Sequence, residues 1–225
     1  MIEMKRLRKA YTTGKVEFEA LKGIDLSIKH GEMVAVVGPS GSGKSTLMNI
    51  IGCLDVPTSG EYRLEDDPVN EMTSNQLADI RNKKIGFVFQ AFNLLPYATA
   101  YENIEVPLLF ARVSGRKRRE RVNELLARVG LADKAGNKPT EMSGGEMQRT
   151  AIARSMANEP DLILADEPTG NLDSKSGGEI VKIFHELWSA GKTVIIITHD
   201  VNIAKQAQRI IRLKDGLVEG NGNLA

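Results

Sequence analysis

Residues 38–45 read Gly38-Pro39-Ser40-Gly41-Ser42-Gly43-Lys44-Ser45. Glycines, having no Cβ, let successive backbone N–H groups turn inward and wrap an anion. The run follows an apolar stretch, Met33-Val34-Ala35-Val36-Val37, and precedes a segment of helical character from Thr46 to Leu54. A helix there would aim its positive end at the same anion. In that setting Lys44 reaches the β- and γ-phosphates of a nucleotide, and the Ser45 hydroxyl ligates Mg²⁺. Alone, the run marks a phosphate-loop nucleotide binder, a class that includes kinases and GTPases.

A second run has related chemistry: Met142-Ser143-Gly144-Gly145-Glu146-Met147-Gln148-Arg149. Ser143 and two glycines lead into a helical run from Gln148 to Met156, which forms another anion-binding helix N-terminus. One chain has little use for two phosphate cradles on one nucleotide. Two chains facing head to tail do, each offering its second cradle to the other's γ-phosphate.

The elements that position these runs follow from hydrophobic patterning. Met33–Val37, Leu162–Ala165 and Val194–Ile197 are short continuous apolar runs, as in parallel strands covered on both faces. Each ends in a Gly-rich or polar turn, where α/β proteins place ligands. Tyr11 to Ile28 alternates, and Asp215-Gly216 before Val218 predicts a hairpin. An antiparallel β portion is therefore expected from the first ~30 residues plus part of the stretch before Gln90. Tyr97 to Asn137 is helical in pattern, with Val122, Leu125, Leu126 and Val129 making one apolar stripe and Gly130 a stop signal. The basic run Arg116-Lys117-Arg118-Arg119, with Arg121, reads as a solvated face, its alternative being a contact with an acidic partner or lipid headgroups.

The chain has 225 residues, 41% hydrophobic and 26% charged, with a net charge of +1. That balance gives no reason to expect nucleic acid as a partner. Cys53 is the one cysteine, which excludes an internal disulfide and reads as a small buried apolar residue. Nothing approaches the ~20 apolar residues of a membrane span, and Met1 to Ala10 is no secretory signal. A cytosolic protein is the expectation.

Here the sequence resembles the ATP-binding cassette family, whose signature is a Leu-Ser-Gly-Gly-Gln run. Met142 and Glu146 depart from that signature, while Ser143-Gly144-Gly145 keeps its core. The resemblance covers nearly the whole chain and implies further roles. Leu162 to Glu167 looks like the Walker B strand, with Asp166 holding Mg²⁺ through water and Glu167 as general base. Asp-Glu-Pro alone could simply end a strand. Gln90, by itself an ordinary surface polar residue, fits the glutamine loop and its metal contact. Asn171-Leu172-Asp173 looks like the D-loop. His199, at the C-terminal edge of a strand, matches the switch histidine on the γ-phosphate. Tyr11 matches the adenine-stacking aromatic, its alternative being a strand-edge tyrosine. His30 and His185 have no such placement.

The resemblance thus implies ATP and Mg²⁺ as cofactors and an α/β fold. The fold would be a P-loop NTPase core, a mainly parallel sheet flanked by helices, with an antiparallel β subdomain and a helical signature subdomain. All of 1–225 would form one ABC ATPase domain: about 1–90 and 160–225 the core, about 91–159 the helical part. Catalysis falls to Glu167, His199 and Lys44, and the metal to Ser45, Gln90 and Asp166. Nucleotide contacts fall to Tyr11, Gly38, Pro39, Ser40, Gly41, Ser42, Gly43, Lys44, Ser45, Thr46 and Gln90, and across the dimer to Ser143, Gly144, Gly145 and Glu146.

Three functions fit the family. Translation and repair ATPases need two cassettes or long coiled coils, which 225 residues do not accommodate. A cell-division ATPase that transmits force without transport shares Gly170-Asn171-Leu172-Asp173. A transporter's ATPase is the reading preferred. Gly52 to Gly60, Phe89 to Pro96 and Ala165 to Asp173 resemble the lipoprotein-releasing and macrolide-exporter class. The expected partners are a second copy, in an ATP-dependent homodimer, and a separate membrane permease. The expected location is the cytoplasmic face of the cell membrane.

Overall fold

Runs of β-branched residues and Gly-rich turns set the order of elements in the computed structural model, which describes residues 1–14 and 16–222. Strands β1 (Ile2–Thr13), β2 (Val16–Ile28) and β3 (Met33–Val37) lead to helix α1 (Lys44–Ile51). Strands β4 (Ser59–Leu64) and β5 (Asp67–Pro68), helix α2 (Ser74–Lys84) and strand β6 (Ile85–Phe89) follow. Then come α3 (Ala100–Phe110), α4 (Gly115–Arg128), α5 (Gly144–Ser155), β7 (Leu162–Asp166) and α6 (Ser174–Ser189). The last elements are β8 (Thr193–Ile197), α7 (Val201–Ala204), β9 (Arg209–Lys214) and β10 (Leu217–Gly222). Among the described residues no helix is long and apolar enough to cross a membrane.

The chain divides into two compact units, Met1–Arg81 with the stretch from Thr193 onward, and Asn82–Lys192. In the first unit β3 pairs in parallel with β8 on one side and β9 on the other. All five residues of β8 are buried, as the continuous apolar run requires. The expected hairpin joins β9 to β10, with Asp215 at φ 50° and Gly216 at φ 80°. Two positive φ angles make the tight turn whose twist matches antiparallel strands.

A second sheet in this unit is antiparallel, in the order β2-β1-β4-β5. In β1 the inward residues are Ile2, Met4, Leu7 and Lys9. Their alternation skips a beat at a bulge between Lys5 and Arg8, where Arg6 takes φ 48° and its N–H donates to Asp25 at 2.9 Å. Helix α1 is shorter than expected. It stops at Ile51 because Gly52 caps it and Cys53 turns left-handed at φ 54°. Cys53 is buried, and burial pushes its thiol up to about 11.

In the second unit β6 and β7 pair in parallel. Helix α3 begins at Ala100, after Thr99 caps it in a box with Glu102. Asn103, fully buried in α3, accepts from the Leu95 N–H at 2.7 Å and donates to the Leu95, Ala98 and Thr99 carbonyls. It thereby fixes the loop that follows Gln90. The stripe of α4 is buried at Val122, Leu125 and Leu126, as expected.

The basic run on α4 is not all solvated. Arg118 donates to Glu105 of α3 at 2.8 Å, and Arg121 donates to the Met156 and Ala157 carbonyls just beyond α5. The Met156 carbonyl also accepts from the Glu159 N–H at 3.0 Å, and a guanidinium suits the negative end of α5. Arg116 makes an exposed pair with Glu120 at 3.0 Å.

Gly86 of β6 lies close against its neighbours. A Cβ there would overlap the Ser155 carbonyl oxygen and lie 2.8 Å from Ile163 Cδ1. Gly86→Ala should therefore destabilise the chain by about 1–3 kcal/mol. Urea unfolding should show a lower midpoint at unchanged slope, and an unchanged midpoint would contradict the close packing.

Candidate functional site

The chemistry-bearing residues of the first unit gather where β3 gives way to α1. Gly41 at φ 76° and Gly43 at φ 102° carry the backbone through left-handed turns, and Gly43 is the N-cap of α1. Lys44 folds over the loop, its Nζ donating to the Gly38 and Pro39 carbonyls at 2.8 and 2.9 Å. A third donor of the ammonium remains for a ligand. Ser45 is exposed in the first turn of α1, and Thr46 is half-buried.

Two strands press on this loop from behind. A Cβ on Gly38 would overlap the Leu213 carbonyl oxygen of β9, and one on Gly43 would lie 2.7 Å from the Ala20 oxygen of β2. The β9–β10 turn braces it as well, since Gly216 N–H donates to the Ser42 carbonyl at 3.0 Å. Ser42 is buried, and its hydroxyl has no partner among the described residues. On the outer side nothing lies within 4 Å of a Cβ built on Gly41. The loop is rigid behind and open in front.

Tyr11 stands in the same unit, 37% exposed near the end of β1. Its hydroxyl donates to Asp55 Oδ2 at 3.0 Å and hydrogen-bonds with the side chain of Thr46, the residue after Ser45. Lys9 Nζ lies 4.9 Å from the ring centroid and pairs with Asp55 Oδ1 at 2.6 Å. The ring is thus held by a cation on its face and a carboxylate at its tip. Burial alone would raise the Asp55 carboxyl, but hydrogen bonds from Lys9, the Val56 amide and Tyr11 outweigh it and hold the group below its ordinary value. His199 is exposed in the turn between β8 and α7. Asp200 caps α7 by accepting from Asn202 N–H at 2.7 Å.

The second unit holds the other expected residues. Asp166 ends β7, and Glu167 follows with φ 44°, a left-handed conformation uncommon for a side chain of this size. Gln90 follows β6. It exchanges hydrogen bonds with Asn171: Gln90 Nε2 donates to Asn171 Oδ1 at 3.3 Å, and Asn171 Nδ2 donates to the Gln90 carbonyl at 3.0 Å. Gly170 permits that approach, since a Cβ on it would lie 2.7 Å from Gln90 Nε2.

Ser143 caps α5, which starts at Gly144, four residues before the expected helical run. Glu146 closes a capping box, accepting from the Ser143 amide at 2.8 Å and from its hydroxyl at 3.0 Å. Those two hydrogen bonds hold the Glu146 carboxyl below its ordinary value. The glycines pack closely, Gly144 with a would-be Cβ 3.2 Å from Leu172 and Gly145 with one 3.0 Å from Ser176 Oγ.

Sequence reasoning passed over four residues that hold these groups in place. Lys9 and Asp55 fix Tyr11, and a lysine in the inward phase of β1 was the available signal. Gln148 and Arg154 lie on α5. Gln148 falls on the stripe of Ala151, Ile152 and Ser155, and a glutamine on an apolar stripe was a signal. Nothing in the sequence singles out Arg154, whose guanidinium donates to the Phe92 and Asn93 carbonyls at 2.9 and 2.5 Å.

Comparison with known proteins matches the family described as ABC transporter to residues 21–170. An uncharacterised ABC transporter ATP-binding protein of Methanocaldococcus jannaschii, MJ0796, is 51% identical over 97% of this chain and 95% of its own length. The macrolide export ATP-binding/permease protein MacB of Rhodopseudomonas palustris is 50% identical over 96% of this chain, which spans only 33% of that longer protein. A solved dimeric structure of MJ0796, described as a post-hydrolysis state bound to ADP and Pi, superimposes with a TM-score of 0.92 at 49% identity. It covers 100% of this chain and 99% of that one.

The hold on Tyr11 has a titration signature. The folded Asp55 carboxyl is depressed below 3.8, so its pairing contributes stability above that pH and loses it as pH falls through the lowered value. In Lys9→Met the Asp55 midpoint, followed by carboxyl-carbon NMR, should move up. An unmoved midpoint would take Lys9 out of this role.

Proposed function

The chain belongs to the ABC transporter family as an ATP-binding and ATP-hydrolysing cassette, and we propose that it powers a separate membrane permease of the lipoprotein-release or macrolide-export type. The observation that carries this is the phosphate loop, rigid behind through Gly38 and Gly43 and open at Gly41, with Lys44 held over it. MacB, named as ATP-binding protein and permease together, supports a membrane permease as partner. A position on the cytoplasmic face of the membrane follows from that partner. The functional division proposed with it is a catalytic core of about residues 1–90 and 160–225, and a helical subdomain of about 91–159.

In this reading the loop amides from Gly38 to Thr46 hold the β- and γ-phosphates, and the positive end of α1 faces them. The free donor of Lys44 neutralises the γ-phosphate. Tyr11 stacks on adenine. Mg²⁺, when bound, draws charge from the phosphate oxygens. No group of three or more His, Cys, Asp or Glu among the described residues could hold a metal ion. That fits Mg²⁺, which takes one or two protein ligands and the rest from phosphate and water. Ser45, Gln90 and Asp166 are the side chains that would serve it.

Glu167 accepts a proton from the attacking water as it adds to the γ-phosphorus, and the bond to ADP breaks in line. Its left-handed backbone breaks the extended conformation in which β7 ends at Asp166. His199 contacts the γ-phosphate. Ser143, Gly144 and Gly145 of a second copy complete the site, with Glu146 bracing their turn, so the working unit is a homodimer with two equivalent ATP sites. The dimeric MJ0796 structure supports this arrangement.

Glu167→Gln should lower turnover by ~10²–10⁴-fold while ATP binding persists. Retention of more than about half the parent rate in a steady-state assay would remove Glu167 from the base role. Light scattering should show Glu167→Gln dimeric with Mg²⁺-ATP and monomeric without it. Adding Ser143→Arg should abolish that dimer and leave ATP binding in place. A Glu167→Gln chain that stays monomeric at saturating Mg²⁺-ATP would refute self-assembly of the isolated cassette.

Tyr11→Ala should weaken ATP binding about tenfold, the equivalent of ~1.4 kcal/mol of stacking. Equal affinities of parent and variant in a fluorescence titration would make Tyr11 a structural residue.

A further inference from the structure

Helix α5 bears the Ser143-Gly144-Gly145 turn at its start and Gln148 further along the same helix. Gln148 is fully buried. Its Nε2 donates to the Pro168 carbonyl at 2.6 Å and, more weakly, to the Phe89 carbonyl at 3.4 Å. Those carbonyls adjoin two residues with assigned roles. Phe89 immediately precedes Gln90, and Pro168 immediately follows Glu167.

The other half of this amide is unsatisfied. Gln148 Oε1 is buried without a partner among the described residues. A buried polar atom in that state costs stability. Methionine would fill much the same volume without that cost. What the position gains from glutamine is the pair of N–H donors. The surroundings are tied in the same sense, because Arg154 of α5 holds the Phe92 and Asn93 carbonyls, both residues having positive φ. The Gln90–Asn171 exchange then links the segment after β6 to the one after Glu167. The glycines at the start of α5 pack on Leu172 and Ser176 of that second segment.

We propose that Gln148 is a positioning residue that fixes the Glu167 turn and the Gln90 strand end to α5. A displacement of the Ser143-Gly144-Gly145 turn, as it takes the partner copy's γ-phosphate, is thereby passed to the base that serves the chain's own nucleotide. The inference rests on Glu167 as base and on the paired sites described above. It assigns to one side chain the link between the two sites of the dimer. Gln148 touches no substrate and acts only through the turn it holds.

The test uses the full chain with Gln148→Met, with ATPase rate and ATP affinity measured separately. The expected result is a kcat at least about tenfold lower, as a displaced catalytic group gives, with affinity within about twofold of the parent. A residue that only supports the fold would not split the two quantities in this way. A double-mutant cycle then asks whether the loss runs through the base. Introduced into Glu167→Gln, the same change should leave the residual single-turnover rate unaltered. A parental kcat in Gln148→Met, or an equal further loss in the Glu167→Gln background, overturns the proposal. Glu167→Gln alone separates the failures. If it keeps the parent rate, the base assignment has failed and this inference with it; if it is inactive, a parental Gln148→Met defeats this inference only. Should Gln148→Met fail to fold, Gln148→Asn keeps an amide one methylene short and takes its place with the same readouts.

Discussion

A seat for an anion made of backbone N–H groups needs two things at once: no side chains in front and no freedom behind. The loop from Gly38 to Ser45 meets both with the same residue type. Gly41 leaves the front open, whereas Gly38 and Gly43 allow β9 and β2 to close in until a single methyl group would not fit. The hairpin turn at Asp215-Gly216 adds a hydrogen bond to the Ser42 carbonyl, so chain distant in sequence sets the loop's shape. Preorganisation of this kind is what lets dipoles stabilise charge without moving at the moment of reaction.

The same device recurs in the second unit. Gly144, Gly145 and Gly170 each stand where a neighbouring side chain comes within reach of a would-be Cβ. Between them run polar side chains, buried or half-buried, that hold particular groups: Asn103 the loop after Gln90, Gln148 two carbonyls, Arg154 two more. Hydrophobic burial supplies most of the stability of such a unit, yet it is indifferent to small shifts along the contact. Hydrogen bonds from a fixed helix to particular carbonyls are not. That difference explains why polar groups occupy core positions around the turn at Glu167.

Much of this was readable from residue order. Continuous apolar runs announced β3, β7 and β8, Asp215-Gly216 announced its hairpin, and Gly-Lys-Ser after a strand announced the phosphate loop. The ends of α1 and α5 were less legible, because capping geometry and not hydrophobic periodicity decides them. Cys53 in a left-handed turn cut α1 short, and Ser143 with Glu146 started α5 early. The basic run on α4 read as solvent-facing because charge is the only local signal. That Arg121 meets the carbonyls after α5 depends on contacts 35 and 36 residues away in sequence. Lys9 and Gln148 were passed over although each is a polar residue in apolar phase, and what each of them grips is fixed by tertiary structure alone.

Glu146 gives the two helix-start cradles unequal strengths. The loop before α1 has Lys44 folded onto it, so positive charge adds to the helix dipole. The turn before α5 carries an ionised carboxylate, kept charged by the Ser143 hydrogen bonds and only partly offset by Lys134, 4.0 Å away, and by Arg149. Its pull on a free phosphate is correspondingly weak. In a pair of cassettes this inequality sets a chronology. Under the proposed pairing, nucleotide fills the strong seat first, and only a γ-phosphate already anchored there is presented to the weak one. Stray phosphate or free nucleotide then has little tendency to occupy the closing surface ahead of the partner.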